Sequence, residues 1–127
     1  MLASQPPLVA TEFFAKALKP HLNGPVRIIA YVDYDVGGWI IARAFAKQLE
    51  FYGIEVSRVD FLIRGETFTP EEKRLHAKPL AMATATHRTK AKLWFAETNG
   101  VDGQMLGIQA DHVQPYQRLR DLFAALL

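Results

Sequence analysis

The stretch from Arg27 to Ala42, RIIAYVDYDVGGWIIA, narrows the choice of fold more than any other part of this chain. It opens as an apolar, β-branched run of the kind that fills a buried parallel strand. The run breaks off in two carboxylates, Asp33 and Asp35, followed directly by Gly37 and Gly38. A helical pattern takes over, with Ile41, Phe45, Leu49 and Tyr52 about one turn apart. A strand that stops at Asp-x-Asp and turns through Gly-Gly into a helix puts acids at the carboxyl edge of an α/β sheet. Open sheets carry their sites at that edge.

The remaining elements fit around this corner. Apolar spacing predicts a helix from Leu8 to Leu22, although Thr11-Glu12 also permits a strand ending near residue 10. Asn23-Gly24-Pro25 stops that helix, with Gly24 suited to a left-handed cap. Strand Val26–Val32, helix Gly38–Tyr52 (closed by Gly53) and strand Ile54–Ile63 make a β-α-β core at 26–63, with parallel strands and a right-handed crossover. Thr69-Pro70-Glu71-Glu72 has the layout of a capping box, opening a helix to about His76. A basic helical segment spans 69–98 and includes a second helix from His87 to Glu97, which Asn99-Gly100 ends. After an Asp102-Gly103 turn, a strand from Met105 to Ala110 and a helix opened by Pro115 form a closing unit at 105–127. With no repeat or linker, the expectation is one α/β domain over 1–127, a mostly parallel sheet with helices on both faces.

Composition excludes several chemistries. There are no cysteines, which removes disulfides, thiolate metal sites and cysteine nucleophiles. No apolar run reaches the roughly 18 residues a membrane span needs, and the N-terminus lacks a signal-peptide layout. A cytoplasmic location without membrane contact is the expectation. Charge is uneven: residues 1–72 hold seven Lys/Arg against nine Asp/Glu, whereas residues 73–127 hold eight against four. From Lys73 to Lys92 there are six basic residues and no acid. Such a segment beside an acidic corner suits a polyanion that meets metal ions, or else is a solvated helical face.

Asp33 and Asp35 at a strand end can turn toward one point. Side by side they repel, which a divalent cation relieves; hard oxygen ligands favour Mg²⁺, with Mn²⁺ as an alternative. Gly37 and Gly38 let a phosphate approach the backbone at a helix N-terminus. The competing reading is that Asp35 simply caps the next helix. Arg88, Lys90 and Lys92 are the candidate phosphate contacts, to backbone and without sequence information. Trp39 is either a base-stacking surface or a packing residue, as are Trp94 and Phe95, with Phe95 favoured for the core. His21, His76, His87 and His112 stand at spacings that suit no shared metal and read as exposed; His112, beside Asp111, is placed to reach a phosphate.

The strand, Asp33-Tyr34-Asp35-Val36-Gly37-Gly38 and the Trp-Ile-Ile-Ala helix start resemble the second acidic motif of Toprim domains, the catalytic folds of topoisomerases, bacterial primases and several nucleases. The preceding helix and Gly-Pro stop look most like the topoisomerase VI A subunit and the related meiotic double-strand-break proteins. Val36 stands where proline is frequent in that group. Gly107-Ile108-Gln109-Ala110-Asp111-His112-Val113-Gln114-Pro115 is similar to the closing segment of Toprim-bearing proteins. The resemblance implies a Rossmann-like Toprim fold and Mg²⁺-dependent DNA strand breakage and rejoining, a topoisomerase, nuclease or isomerase activity. Asp33 and Asp35 would be the metal ligands and catalytic acids. It further implies a glutamate at an earlier strand end; Glu12 is the available residue, but reading it so leaves an intervening strand without sequence. The expectation is therefore a partial Toprim domain, with the glutamate and a nucleophilic tyrosine supplied by other domains or subunits, or else a non-catalytic DNA-binding or assembly module. Two further families fit less well. A haloacid-dehalogenase phosphatase wants Thr or Val at position 37 and a later acidic pair, but Glu71-Glu72 opens a capped helix. A response-regulator receiver wants an Asp at a later strand end, but Asp60 lies inside its strand.

Overall fold

Pro20 shapes the beginning of the chain. In the computed structural model, which describes residues 8–82 and 84–127, helix α1 (Leu8–Leu18) gives way to a 3₁₀ turn (Lys19–His21). The predicted helix to Leu22 is cut short because proline lacks the N–H that would continue the ladder. Thr11-Glu12 lies inside α1, so the strand alternative is not realised. Gly24 does not take the left-handed conformation expected of it: the chain leaves the turn through extended Leu22 (φ −93°, ψ 138°). Strand β1 (Val26–Ala30), helix α2 (Val36–Phe51) and strand β2 (Val56–Phe61) follow, with Gly53 at φ +87° beyond the end of α2.

The chain divides into two compact units, one made of the described residues up to Ala30 with Ile40–Asp60, the other of Tyr31–Trp39 with Phe61–Leu127. In the first, β1 and β2 form a two-stranded parallel sheet flanked by helices, and the fold is α/β. Ala15, Leu49 and Ile54 are its buried centre, with Leu18, Val26, Ile28 and Phe45 packed around them. Leu49 and Ile54 are each 2% exposed, and burying side chains of that size is worth about 1.5–3 kcal/mol apiece. Buried Thr11 donates its hydroxyl proton to the Gln48 carbonyl at 2.5 Å, so α1 and α2 meet without an unpaired hydroxyl. Asp60 accepts from Arg27 at 2.5 Å and lies 2.9 Å from the Arg58 Nε. Its place is inside β2, as the sequence indicates, and its partners are the sheet's own guanidinium groups.

The second unit holds the first turn of α2, helix α3 (Pro70–His76), strand β3 (Lys78–Pro79), helix α4 (Ala85–Thr98), strand β4 (Leu106–Gly107) and helix α5 (Gln117–Leu126). The capping box at α3 is as predicted: the Glu72 N–H donates to Thr69 Oγ1 at 3.1 Å and the Thr69 N–H to Glu72 Oε1 at 2.8 Å. Helix α4 is capped by Thr84 and closed by Asn99 in the left-handed conformation (φ 63°). Asp102 (φ 50°) and Gly103 (φ 84°) then make the tight turn between Val101 and Gln104.

The predicted mostly parallel sheet is not what this unit contains. Lys78 and Pro79 pair antiparallel with Gly107 and Leu106, and Tyr34 pairs antiparallel with Ile108. The strand expected over Met105–Ala110 is correspondingly short, since Pro79 has no N–H with which to extend the ladder. On α5, Leu119 is buried while Phe123 is 44% exposed. Among the described residues no helix is long and apolar enough to cross a membrane.

Helices α3 and α5 are joined by Arg118, which grips both oxygens of Glu72 at 2.6 and 3.1 Å and also donates to the Thr67 and Gln114 carbonyls. The paired guanidinium holds the Glu72 carboxyl down from 4.5 to about 2. A depressed carboxyl contributes stability above its unfolded pKa and loses it as pH falls through the folded one. Glu72→Gln should therefore cost about 2 kcal/mol at neutral pH, less than the roughly 3 kcal/mol of the full shift because the carboxylate is 18% exposed. In chemical denaturation the gap between wild type and variant should narrow below about pH 4.5 and close near pH 2; a gap that does not change with pH would contradict this account.

Candidate functional site

The acidic corner is built around the residue between the acids. Tyr34 is 6% exposed, its ring centroid 5.2 Å from that of Trp94 and 6.4 Å from that of Phe68. Its hydroxyl donates to the Gly100 carbonyl at 2.6 Å, and burial raises the phenol pKa. Its backbone exchanges both hydrogen bonds with Ile108, at 2.9 and 3.0 Å. Side chains on extended backbone alternate, so turning Tyr34 inward sends Asp33 and Asp35 the other way.

Each acid also has a backbone task. Asp33, exposed, accepts the Ala110 N–H at 2.7 Å, where the 3₁₀ turn Ala110–His112 begins. Asp35, partly buried, accepts the Gly38 N–H at 2.8 Å on its side chain and the Trp39 N–H at 3.2 Å on its carbonyl, capping α2. The capping reading is thus realised, and a carboxylate there gains from the helix dipole. Desolvation nonetheless raises the Asp35 carboxyl pKa; the Gly38 N–H opposes this, and the charge of Asp33 adds to it. The two acids are close enough to feel one another's charge.

The glycines around the corner answer to space. A Cβ on Gly38 would lie 2.4 Å from the Asp33 carbonyl oxygen, and one on Gly107 would lie 2.8 Å from the Asp35 Cβ and 2.9 Å from the Tyr34 oxygen. Gly37 has ordinary room, its nearest atom being the Asp35 Oδ1 at 3.5 Å.

Asp35 and Gly37 line a cavity of about 340 Å³ together with His76, Lys78, His87, Gln109 and His112. The His76 and His112 rings stack with centroids 3.8 Å apart and planes 9° from parallel. The His112 Nε2 lies 3.9 Å from the Asp111 carboxylate. The His87 Nδ1 is buried and has no hydrogen-bond partner. In sequence these histidines are scattered, because their positions, 76, 87 and 112, carry no period. They meet because Lys78 pairs with Gly107, which brings the end of α3 beside the chain leading to His112, and because α4 starts close to both.

The other predicted residues are not among those that line this cavity. Arg88, Lys90 and Lys92 lie on α4 without lining it, and of the basic segment Lys73 and Arg74 are engaged with Asp102 and Glu71. Glu12 belongs to the other unit, on α1, in an ion pair with Lys16 at 3.2 Å. Trp39 is a packing residue, 8% exposed, whose indole N–H donates to Glu97 at 2.7 Å. On α4 it is Trp94 that is fully buried and Phe95 only partly so, the reverse of the sequence preference. Among the described residues no three His, Asp or Glu side chains form a group that could hold a metal ion. Two carboxylates completed by water and substrate phosphate are nevertheless a usual Mg²⁺ donor set.

No family model, curated protein or solved structure matches the chain.

The glycine contacts set two neighbouring substitutions against each other. Gly38→Ala should lower stability by about 1–3 kcal/mol through overpacking against the Asp33 carbonyl. Gly37→Ala should be neutral or stabilising by up to about 1 kcal/mol, because alanine is the better helix former and the space exists. Thermal melts of the two variants check this, and equal losses would show that the corner does not depend on the close approach at Gly38.

Proposed function

We propose that this chain is a Toprim-type module, or part of one, which handles DNA phosphodiesters with Mg²⁺, or Mn²⁺, held by Asp33 and Asp35. The observation that carries the reading is the partly buried carboxyl of Asp35, which feels the charge of Asp33 beside it on one strand-to-helix turn. An acid already raised by desolvation, with a second acid adjacent, favours a cation over two bare charges. When bound, the ion would neutralise a phosphodiester and stabilise the leaving 3′ oxygen of a breakage or rejoining step.

The chain's own residues supply position. Tyr34 fixes the turn, so the carboxylates are placed by backbone rather than by free rotation. Gly37 and the start of α2 give a phosphate access to helix-end N–H groups. Arg88, Lys90 and Lys92 on α4 would add contacts to the DNA backbone. Tyr34 is a poor candidate for the attacking nucleophile, being buried and donating to Gly100. Glu12 is not carried into the proposal as third acid. The nucleophile and the further glutamate are assigned to other domains or subunits, so the chain by itself is not expected to cleave DNA.

A second reading, a Toprim-like module for assembly or DNA binding without chemistry, has its own support: Asp33 and Asp35 each serve a backbone N–H that needs no metal. Metal titration separates the two. Mn²⁺ binding by calorimetry or paramagnetic relaxation should weaken at least about tenfold in Asp33→Asn and in Asp35→Asn. Binding that is equal in all three proteins would leave only the non-catalytic reading. Duplex DNA binding should fall with salt, and its log–log slope should drop by about one for each of Arg88, Lys90 and Lys92 changed to alanine. An unchanged slope would mark that segment as a solvated face.

A further inference from the structure

The histidines that the acidic corner does not use have a chemistry of their own. His76, His87, His112 and Lys78 come from three separate segments, the α3–β3 junction, the first turn of α4 and the 3₁₀ turn after β4, and all line the cavity next to Asp35. We propose that this cavity is a phosphoryl-anion subsite, in which His76, His87, His112 and Lys78 donate to the oxygens of one phosphate. The proposal deepens the phosphodiester reading by giving the phosphate its own donors, and it does not require a metal.

Three observations converge on an anion. The first is the donor set. Imidazole N–H groups and an ammonium outnumber the single carboxylate lining the cavity, Asp35, and that carboxylate already accepts from Gly38. Asp111, 3.9 Å from His112, and Asp33, beside Asp35, are the other acids nearby; Asp111 is largely exposed and Asp33 already accepts the Ala110 N–H.

The second is the stack. Two near-parallel imidazoles 3.8 Å apart present their ring edges side by side, so one multi-oxygen anion can take a hydrogen bond from each. Without an anion, a charge on both rings would be repulsive. The third is His87, whose buried Nδ1 has no partner. An unpaired buried nitrogen is costly, and a ligand that reorients and pairs the ring recovers part of that cost. The cavity, at about 340 Å³, has room for a phosphate with its attached sugar or for phosphate and water.

A phosphate of this kind comes either from a free small molecule or from a nucleic-acid strand. The test uses the whole chain in EDTA, so that no divalent ion contributes. Inorganic phosphate, then short oligonucleotides with and without a terminal phosphate, are titrated while the histidine side-chain resonances are followed by NMR. Phosphate should move the His76, His87 and His112 signals along one saturating curve and leave His21 unmoved. Lys78→Ala, at an exposed position, should weaken that curve by about tenfold, and His112→Gln should weaken it similarly. A response to terminally phosphorylated oligonucleotide and not to its unphosphorylated form assigns the source to a strand end. Response to both oligonucleotides assigns it to an internal phosphodiester, and response to inorganic phosphate alone assigns it to a small molecule. Histidine signals that stay still at millimolar phosphate, or that respond in Lys78→Ala and in His112→Gln as they do in the wild type, overturn the subsite. Since EDTA is present throughout, loss of metal binding at Asp33 and Asp35 and loss of this subsite are separately visible.

Discussion

The second unit depends on one buried phenol. Tyr34 is held by its ring against Trp94, by its hydroxyl on the Gly100 carbonyl and by both backbone bonds to Ile108. Packing, a buried hydrogen bond and strand pairing therefore converge on the residue that separates the two acids. Its neighbours inherit their positions from it. If the ring left the core, the turn would lose its depth, and the partners of Asp33 and Asp35 at Ala110 and Gly38 would have no fixed place to meet them.

Two charge systems follow from this arrangement. At the corner, Asp35 is drawn into partial burial beside exposed Asp33, and each carboxylate is held by an N–H donor from a helix-like start. In the adjacent cavity the ionisable side chains, Asp35 apart, are three histidines and Lys78, set in a largely apolar lining.

Local chemistry made much of this legible from the sequence. The capping box at Thr69–Glu72, the Asn99-Gly100 stop, the Asp102-Gly103 turn and the strand–Asp-x-Asp–helix order each rest on residues close in sequence, and each is found where the pattern puts it. What depended on distant pairing was not legible. The stacking of His76 on His112 is decided by the Lys78–Gly107 register, which no periodicity encodes. The same holds for Asp33 reaching the Ala110 N–H, and for Arg118 choosing Glu72. The sheets are smaller than the apolar segments suggest for a related reason: an apolar, β-branched segment announces a strand but not the direction of its neighbour. Pro79 then keeps that neighbour short.

Gly107 joins these systems in a way that its lack of a side chain conceals. It pairs with Lys78 on one side and stands against Asp35 and the Tyr34 carbonyl on the other, with no space for even a methyl group. A single added carbon would act as a wedge driven into a seam, prising the carboxylate side from the imidazole side while leaving every charged group intact. The position is a mechanical fuse: the smallest residue in the chain sets the distance at which its acids and bases face each other.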